Sequence, residues 1–213
     1  MSKTLVRITM SLDGYVAGPN QSMKDPLGVG GEALHEWAIE LAAWKEQHGQ
    51  KGGVVNASSA IMREMFENVG AVIMGRNMFG GGPGPWKLDW KGWWGDDPPY
   101  HMPVFVLTHH ARDALPMEGG TTFHFVTDGI ESALNQAKRA AAAKDVLIMG
   151  GAETIQQFLA AGLVDEVNIS MAPKVLGGGE RLFDNLGDSP PRFEQMRVID
   201  APGVVHLRYR VAR

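Results

Sequence analysis

Three runs of large apolar residues end abruptly at residues whose chemistry suits phosphate. Directly after these runs come Gly75-Arg76-Asn77, Thr108-His109-His110 and Gly150-Gly151. A guanidinium fork and a hydroxyl both bond to phosphate oxygens, and glycine lets an anion approach the backbone N–H groups at the start of a helix. The pattern therefore predicts anion binding at the places where strands end.

Each of these segments also has a purely structural interpretation. Gly150-Gly151 makes a tight turn between a strand and a helix, and it lacks the Gly-x-Gly-x-x-Gly spacing of common dinucleotide-binding loops. Arg76 alone fits an exposed ion pair as well as a phosphate contact. The adjacent His109 and His110 point in different directions, so we expect no shared metal site and no metal cofactor.

Carboxylates and aromatic residues supply further candidates. Asp13 follows the first apolar run and is the best-placed carboxylate for a reaction, although an aspartate before glycine also forms turns. Glu36 and Glu40 lie one helical turn apart and face either a cleft or solvent. The segment between Phe79 and Pro103 is rich in glycine, proline and tryptophan, which indicates either a lid over a flat ligand or a subunit contact.

The composition excludes several classes of protein and site. The chain has 213 residues, 44% of them hydrophobic, and a formal net charge of -4, so we expect no nucleic-acid and no membrane partner. The absence of cysteine excludes disulfides and cysteine-ligated zinc or iron–sulfur sites. No apolar run approaches the roughly 20 residues of a membrane span. Polar residues interrupt the N-terminal apolar residues, unlike a signal peptide, and we therefore expect a cytoplasmic protein.

Hydrophobic periodicity predicts alternating strands and helices. Predicted strands cover residues 4–10, 71–74, 104–108, 122–126, 146–149 and 165–173. Predicted helices cover residues 31–49, 58–70, 130–141 and 152–162. Asp128 and Glu131 have the spacing of a capping box at the start of the third helix. The C-terminal tail alternates apolar and polar residues around a turn at Ala201-Pro202-Gly203, which predicts a hairpin.

This order of elements predicts an α/β fold with a mostly parallel central sheet, an antiparallel C-terminal hairpin and helices on both faces. We expect a single domain over residues 1–213, with the Gly/Pro/Trp-rich segment as an insertion at about 80–103. Sheets of this kind bind ligands in crevices at the carboxyl ends of their strands. The three candidate segments are therefore expected to meet in one crevice.

Five segments in order resemble the dihydrofolate reductase-like superfamily. They read SLDGYVAG, VIMGRNMF, VFVLTHH, IMGGAETIQQFLAAGLVDEV and MAPKVLGGGERLF. The similarity is closest to the reductase half of the bacterial bifunctional riboflavin-biosynthesis deaminase-reductase and its stand-alone relatives, and it covers residues 4–212. We expect no deaminase activity from this sequence, because the zinc site of the deaminase half needs cysteines and the sequence has none. The tryptophan-rich segment also departs from the short folate reductases.

The resemblance implies that NADPH is the cofactor and assigns roles to the candidate segments. It places Gly150 and Gly151 against the pyrophosphate, with Ala152, Glu153 and Thr154 opening the helix. It places Gly75, Arg76 and Asn77 against cofactor phosphates, and Thr108 and His109, with His110 as a further candidate, at the adenosine 2′-phosphate. It places Asp13 in the substrate pocket beside the nicotinamide.

The activity implied by the resemblance is hydride transfer to a C=N or C=O bond of a heterocycle, either a pterin-like ring or a ribosylamino-pyrimidine. Asp13 is expected to orient the substrate or relay a proton, with a pKa raised by desolvation. Trp37 and Lys174 are the other expected substrate-binding residues, Lys174 as a partner for a ribose phosphate. The family also implies a homodimer.

Three alternatives remain open from the residues alone. One is a non-catalytic nucleotide-binding or sensor domain, in which the coenzyme binds but nothing is reduced. A second is a reductase that uses a flavin or deazaflavin. The third is an interaction module built around the tryptophan-rich segment, whose deletion would then abolish assembly and leave nucleotide affinity intact.

Overall fold

The computed structural model describes residues 2–87 and 89–212. Its strands are β1 (Thr4–Met10), β2 (Tyr15–Ala17), β3 (Val69–Gly75), β4 (Pro103–Leu107), β5 (Leu115–Pro116), β6 (Thr122–Val126), β7 (Asp145–Gly150), β8 (Glu166–Met171), β9 (Glu180–Arg181), β10 (Arg192–Ala201) and β11 (Val204–Ala212). Its α-helices are α1 (Glu36–Ile39), α2 (Ala42–Gln47), α3 (Ser58–Glu64), α4 (Arg76–Phe79), α5 (Ile130–Ala141) and α6 (Ala152–Ala160). None of the described helices is long and apolar enough to cross a membrane.

Nine strands form one sheet in the order β10-β11-β8-β1-β7-β3-β4-β6-β5. The six strands from β8 to β6 are parallel, while β10, β11 and β5 pair antiparallel at the two edges. The predicted fold class is therefore confirmed, including the C-terminal hairpin. Because the six central strands run in one direction, their carboxyl ends all lie at the same edge of the sheet.

One face of the sheet is covered by α5 and α6. The buried residues of α5 are mostly alanines, which let the helix lie close to the strands. A side chain at Gly70 in β3 would come within 2.8 Å of the Ala141 backbone, so this packing requires glycine there. The predicted capping box is wrong, because α5 begins after Gly129 and no side chain caps its first turn.

The other face is covered over β3, β4 and β6 by the tryptophan-rich insertion. Trp94 stacks on the buried Phe123 with ring centroids 6.0 Å apart, and Trp86 contacts Phe79 edge-on at 5.6 Å. Trp90 packs against the same apolar cluster. The insertion therefore covers this part of the sheet, as helices α5 and α6 cover the opposite face. Trp86, Trp90 and Trp94 are partly buried and pack against the core. The lid and the subunit contact both stay predictions.

The single helix predicted over residues 31–49 is wrong. The chain instead forms a 3-10 turn over Gly31–His35, then α1, then α2. Leu41 between the two helices is extended and pairs with Val54, whose N–H donates to Glu40 at 2.9 Å. This pairing with a distant segment interrupts a helical pattern that is continuous in the sequence.

A third apolar cluster lies under the C-terminal hairpin and surrounds a buried histidine. His206, 5% exposed, shares hydrogen bonds of 2.9 Å with the hydroxyls of Ser58 at the start of α3 and of Ser170 in β8. Burial, with a smaller contribution from the charge of Arg197, lowers its pKa to about 4. The neutral imidazole thus joins α3 to the sheet.

The pKa of His206 predicts acid destabilisation. Since the folded-state pKa lies near 4 and the unfolded value near 6.5, the unfolded chain binds the proton first. Stability is then complete above about pH 6.5 and falls as the pH drops towards 4. Between pH 7 and 4.5 we expect the free energy of unfolding of the wild type to fall by about 2 kcal/mol more than that of His206→Gln. Urea denaturation at both pH values measures this, and equal losses would contradict it.

Candidate functional site

The carboxyl ends of β7, β3 and β4 lie side by side. In the sheet register Met74 is opposite Gly150, and Gly75 is opposite Leu107, the residue before Thr108. The three segments singled out in the sequence therefore follow three adjacent strands. Because parallel strands end together, Gly150-Gly151, Gly75-Arg76 and Thr108 share one edge, as predicted.

The glycine pair serves both the turn and close access to the backbone. Gly150 has φ +125, a conformation that L side chains rarely adopt, and the Gly150–Gly151 peptide is cis. A Cβ built at Gly151 would have no atom within 4 Å, so the backbone there faces open space. Helix α6 begins at Ala152 and no side chain caps its first turn. The N–H groups of this turn are thus available to an anion.

At this edge of the sheet the end of β3 packs closely against the start of α6. A Cβ at Gly75 would collide with the hydroxyl of Thr154 and lie 3.7 Å from the Gly150 carbonyl. Thr154, the third residue of α6, is buried, while Glu153 beside it is exposed. Glycine at position 75 therefore brings the start of α6 and the end of β3 together.

Arg76 lies at this edge, and the insertion engages its guanidinium. Its Nη2 donates to the carbonyls of Gly82 at 2.8 Å and Gly84 at 3.2 Å, and its guanidinium carbon lies 3.2 Å from the ring centroid of Trp86. Its Nη1 reaches the Thr108 hydroxyl only at 3.4 Å. The structure thus joins Arg76 and Thr108, as predicted, but it also gives Arg76 partners that the sequence did not indicate.

Thr108 organises the loop after β4. Its buried hydroxyl accepts from the His110 N–H at 3.1 Å, and the Trp86 indole donates to the His110 carbonyl at 2.7 Å. His109 is exposed in this loop, and Asn77 is exposed after Arg76. Both therefore have side chains that a ligand can reach.

Arg112 is a second cation at this end of the edge and was missed from the sequence. Its guanidinium carbon lies 5.4 Å from the Trp86 ring centroid, and its Nη1 donates to the Trp90 carbonyl at 2.8 Å. Burial and the charge of Arg112 lower the pKa of Arg76. The sequence contained one indication of it, because Arg112 lies only four residues after Thr108, in the loop that follows β4.

Asp13 organises the loop that faces the end of β1. Its carboxylate accepts hydrogen bonds from the Ser11 hydroxyl at 2.6 Å, from the Leu176 N–H at 3.1 Å and from the Gly177 N–H at 2.7 Å. The Ser11 bond and these backbone bonds outweigh desolvation and lower the pKa of Asp13 to about 2. The expectation of a raised pKa is therefore wrong, because three donors stabilise the ionised form. Its role in orienting a substrate stays a prediction.

Lys174 lies beside the same loop. Its carbonyl accepts from the Leu12 N–H at 2.8 Å, which places it next to Asp13, and its ammonium pairs with Glu36 at 2.7 Å. The Lys174 side chain is 37% exposed, so solvent reaches this pair. The structure thus brings the predicted Asp13 and Lys174 together.

Trp37 points away from this loop into the cluster under the hairpin. It is 9% exposed and contacts the His206 ring edge-on at 4.9 Å between centroids. Its indole N–H is buried without a hydrogen-bond partner among the described residues. The structure therefore gives Trp37 a packing role, and its contact with a substrate stays a prediction.

The chain matches one family model over nearly its whole length. The model described as RibD C-terminal domain matches residues 3–207. Over 59 residues the chain is 42% identical to the uncharacterized protein YyaP of Bacillus subtilis strain 168, a match that covers 28% of this chain and 31% of YyaP.

Solved structures share the fold at low sequence identity. The putative riboflavin biosynthesis protein of Shewanella sp. PV-4 is 24% identical, with a TM-score of 0.64 and 99% of each chain covered. A diaminohydroxyphosphoribosylaminopyrimidine deaminase/5-amino-6-(5-phosphoribosylamino)uracil reductase of Thermotoga maritima is 16% identical with a TM-score of 0.57, and the match covers 99% of this chain and 57% of that one. The riboflavin biosynthesis reductase Rib7 of Saccharomyces cerevisiae is 13% identical with a TM-score of 0.54, and the match covers 100% and 89%.

The hydrogen bonds of Asp13 predict a local effect of its removal. Asp13→Ala leaves the Leu176 and Gly177 amides without their charged acceptor, so we expect their hydrogen exchange to accelerate about tenfold or more. Amides of α6 should be unaffected. Asp128→Ala, at an exposed aspartate outside this loop, is the control, and unchanged exchange at both amides in Asp13→Ala would show that the carboxylate does not hold the loop.

Proposed function

Because the chain belongs to the RibD C-terminal domain family, we propose that it is an NADPH-dependent reductase that acts on a heterocyclic substrate. The resemblance noted in the sequence is to the same family, and the fold is the dihydrofolate reductase-like fold of its structural neighbours. The yeast protein with this fold is named a riboflavin biosynthesis reductase, and the protein of Thermotoga maritima is named a 5-amino-6-(5-phosphoribosylamino)uracil reductase. A pyrimidine or pterin ring is accordingly the substrate class proposed here.

The observation that carries the proposal is the meeting, at one sheet edge, of three segments whose chemistry suits phosphate. Gly151 and the uncapped first turn of α6 would hold the pyrophosphate, because a Cβ-free backbone and free N–H groups face open space there. Arg76, Thr108 and the exposed His109 would hold the 2′-phosphate. These groups suit an extended, phosphorylated dinucleotide.

NADPH, when bound, supplies the hydride, and the residues of this chain bind and orient the reactants. Close packing of Gly75 against Thr154 fixes the distance between the end of β3 and the start of α6, the two elements proposed to contact the coenzyme phosphates. In this proposal the protein contributes position and exclusion of water more than acid–base chemistry.

Asp13 is proposed to orient the substrate as an ionised group. With a pKa of about 2 its carboxyl is deprotonated near neutral pH, so it accepts hydrogen bonds from ring N–H groups but has no proton to donate. The proton that accompanies hydride transfer would then come from water. Lys174, which solvent reaches beside this loop, is proposed to attract a phosphate on the substrate away from its pair with Glu36.

A homodimer is proposed through the free edge of the sheet at β10. This edge strand is ten residues long and exposes Met196 by 42% and Val198 by 48%. The other edge strand, β5, has only two residues and ends in Pro116, so it offers few backbone groups for pairing. A long edge with exposed apolar side chains is the better surface for a second copy.

Coenzyme binding is the first test of the proposed reductase. We expect isothermal titration calorimetry to show NADPH binding, and Arg76→Gln to weaken it about tenfold or more, because a charge-assisted phosphate contact is lost. NADH, which lacks the 2′-phosphate, should be little affected by the same substitution. Arg139→Gln, at an exposed arginine on α5, is the control. Absence of NADPH binding to the wild type would rule the proposal out.

Transfer of deuterium from labelled NADPH to a pterin or ribosylamino-pyrimidine, followed by mass spectrometry, then distinguishes a reductase from a coenzyme sensor. Label in the product is the expected result. A protein that binds NADPH but transfers no label to either ring class would be a binding domain. A yellow protein with bound flavin would instead favour a flavin-using enzyme.

The dimer proposal predicts an effect of charge at β10. Val198→Lys adds a positive charge to the proposed interface on each copy of the chain, so we expect dissociation to monomers in analytical ultracentrifugation. Val175→Lys, at a residue exposed by 71% outside the sheet, is the matched control. A wild type that sediments as a monomer, or a Val198→Lys variant that stays dimeric, would contradict the proposed interface.

A further inference from the structure

The segment Gly80–Trp86, here named the glycine strap, lies across the guanidinium of Arg76. Gly82 and Gly84 supply the two carbonyls that accept from Nη2, at 2.8 and 3.2 Å, and Trp86 closes the strap by stacking on the guanidinium. The indole of Trp86 is itself tied to the loop after β4 through the His110 carbonyl. Two carbonyls and one indole ring of the strap, all of them neutral, therefore contact the guanidinium of Arg76.

While Nη2 donates to Gly82 and Gly84, the guanidinium of Arg76 cannot form two parallel hydrogen bonds to a phosphate. A bidentate phosphate accepts either from Nη1 and Nη2 or from Nε and Nη2. Both patterns therefore need an N–H of Nη2. In Arg76 both N–H groups of Nη2 have glycyl carbonyls as acceptors. Its Nε, by contrast, is buried with no hydrogen-bond partner among the described residues.

The charges around Arg76 favour exchange of these carbonyls for a phosphate. A hydrogen bond from a guanidinium to an anion is roughly twice as strong as one between neutral groups. Here the acceptors are neutral, and the positive charge of Arg112 adds to that of Arg76. A phosphate places a negative charge on the Arg76 guanidinium, which a backbone carbonyl does not, whereas the ribose hydroxyl in NADH brings no charge.

From this geometry we propose that the glycine strap competes with the coenzyme phosphate for Arg76 and so sets the affinity for NADPH without affecting NADH. The inference rests on the proposed function, since it assumes that NADPH is the coenzyme. NADPH binds through Arg76 only after Gly82 and Gly84 release it, and the cost of that release is subtracted from the binding free energy. NADH does not use the guanidinium and binds with the strap in place.

The strap can be weakened without altering the side chain of Arg76. Gly82 and Gly84 have φ +73 and +77, and a Cβ at either would meet no atom within 4 Å. Alanine at these positions therefore causes no collision, but it disfavours the left-handed backbone that points the carbonyls at Arg76. Gly95 is a matched control in the same insertion, with φ +70 and equally open space, and its carbonyl is not a partner of Arg76.

The experiment measures the dissociation constants of NADPH and NADH by calorimetry for the wild type, Gly82→Ala, Gly84→Ala and Gly95→Ala. We expect each strap variant to bind NADPH about fivefold or more tightly, as the left-handed penalty for alanine implies. NADH affinity should not change, and Gly95→Ala should match the wild type for both coenzymes. In the double variant Arg76→Gln/Gly82→Ala the gain should disappear, because the contested group is absent.

The possible failures are distinguishable. If the wild type binds NADPH and both strap variants bind it equally or more weakly, the strap does not compete and the inference is wrong, while the proposed function stands. An equal gain for NADH, or a gain in Gly95→Ala, would show a general loosening of the insertion and would also overturn it. If no variant binds NADPH, the proposed function itself fails and the inference fails with it.

Discussion

The site depends on the close approach of β3, β7 and helix α6, which only glycine permits. A side chain at Gly75 would collide with Thr154, and Gly150 adopts a backbone conformation that other residues rarely reach. The contact at Gly75 and the backbone turn at Gly150 bring the start of α6 close to the ends of two buried strands, β3 and β7. Every group proposed to bind the coenzyme is placed relative to this junction, including Arg76, which follows Gly75 directly.

The insertion links the core of the protein to this junction. Trp94 and Trp90 cover the face of the sheet over β3, β4 and β6, so the insertion is held in place by apolar packing. Its first residues then extend over Arg76. The same segment therefore both covers the sheet and supplies the hydrogen-bond partners of Arg76.

The charges differ between the loop after β1 and the loops after β3 and β4. The hydrogen bonds to Asp13 stabilise a negative charge and lower its pKa to about 2. Burial and the positive charge of Arg112 lower the pKa of Arg76. The proposed arrangement matches this distribution, since it sets the coenzyme phosphate against the arginines and the substrate ring against the carboxylate.

Local patterns in the sequence were sufficient to predict the buried strands and the glycine pair before α6, because hydrophobic periodicity shows where strands end. They also predicted that Gly75, Thr108 and Gly150 lie at one edge of the sheet, because parallel strands end at the same edge. Only the tertiary structure decided the break at Leu41, the packing of the tryptophans, the lowered pKa of Asp13 and the partners of Arg76. The break comes from pairing with Val54, and the pKa of Asp13 is lowered first by the Ser11 hydroxyl and then by amides more than 160 positions away. These contacts form only when the loops of the chain are folded in three dimensions, and the periodicity of the sequence does not contain them.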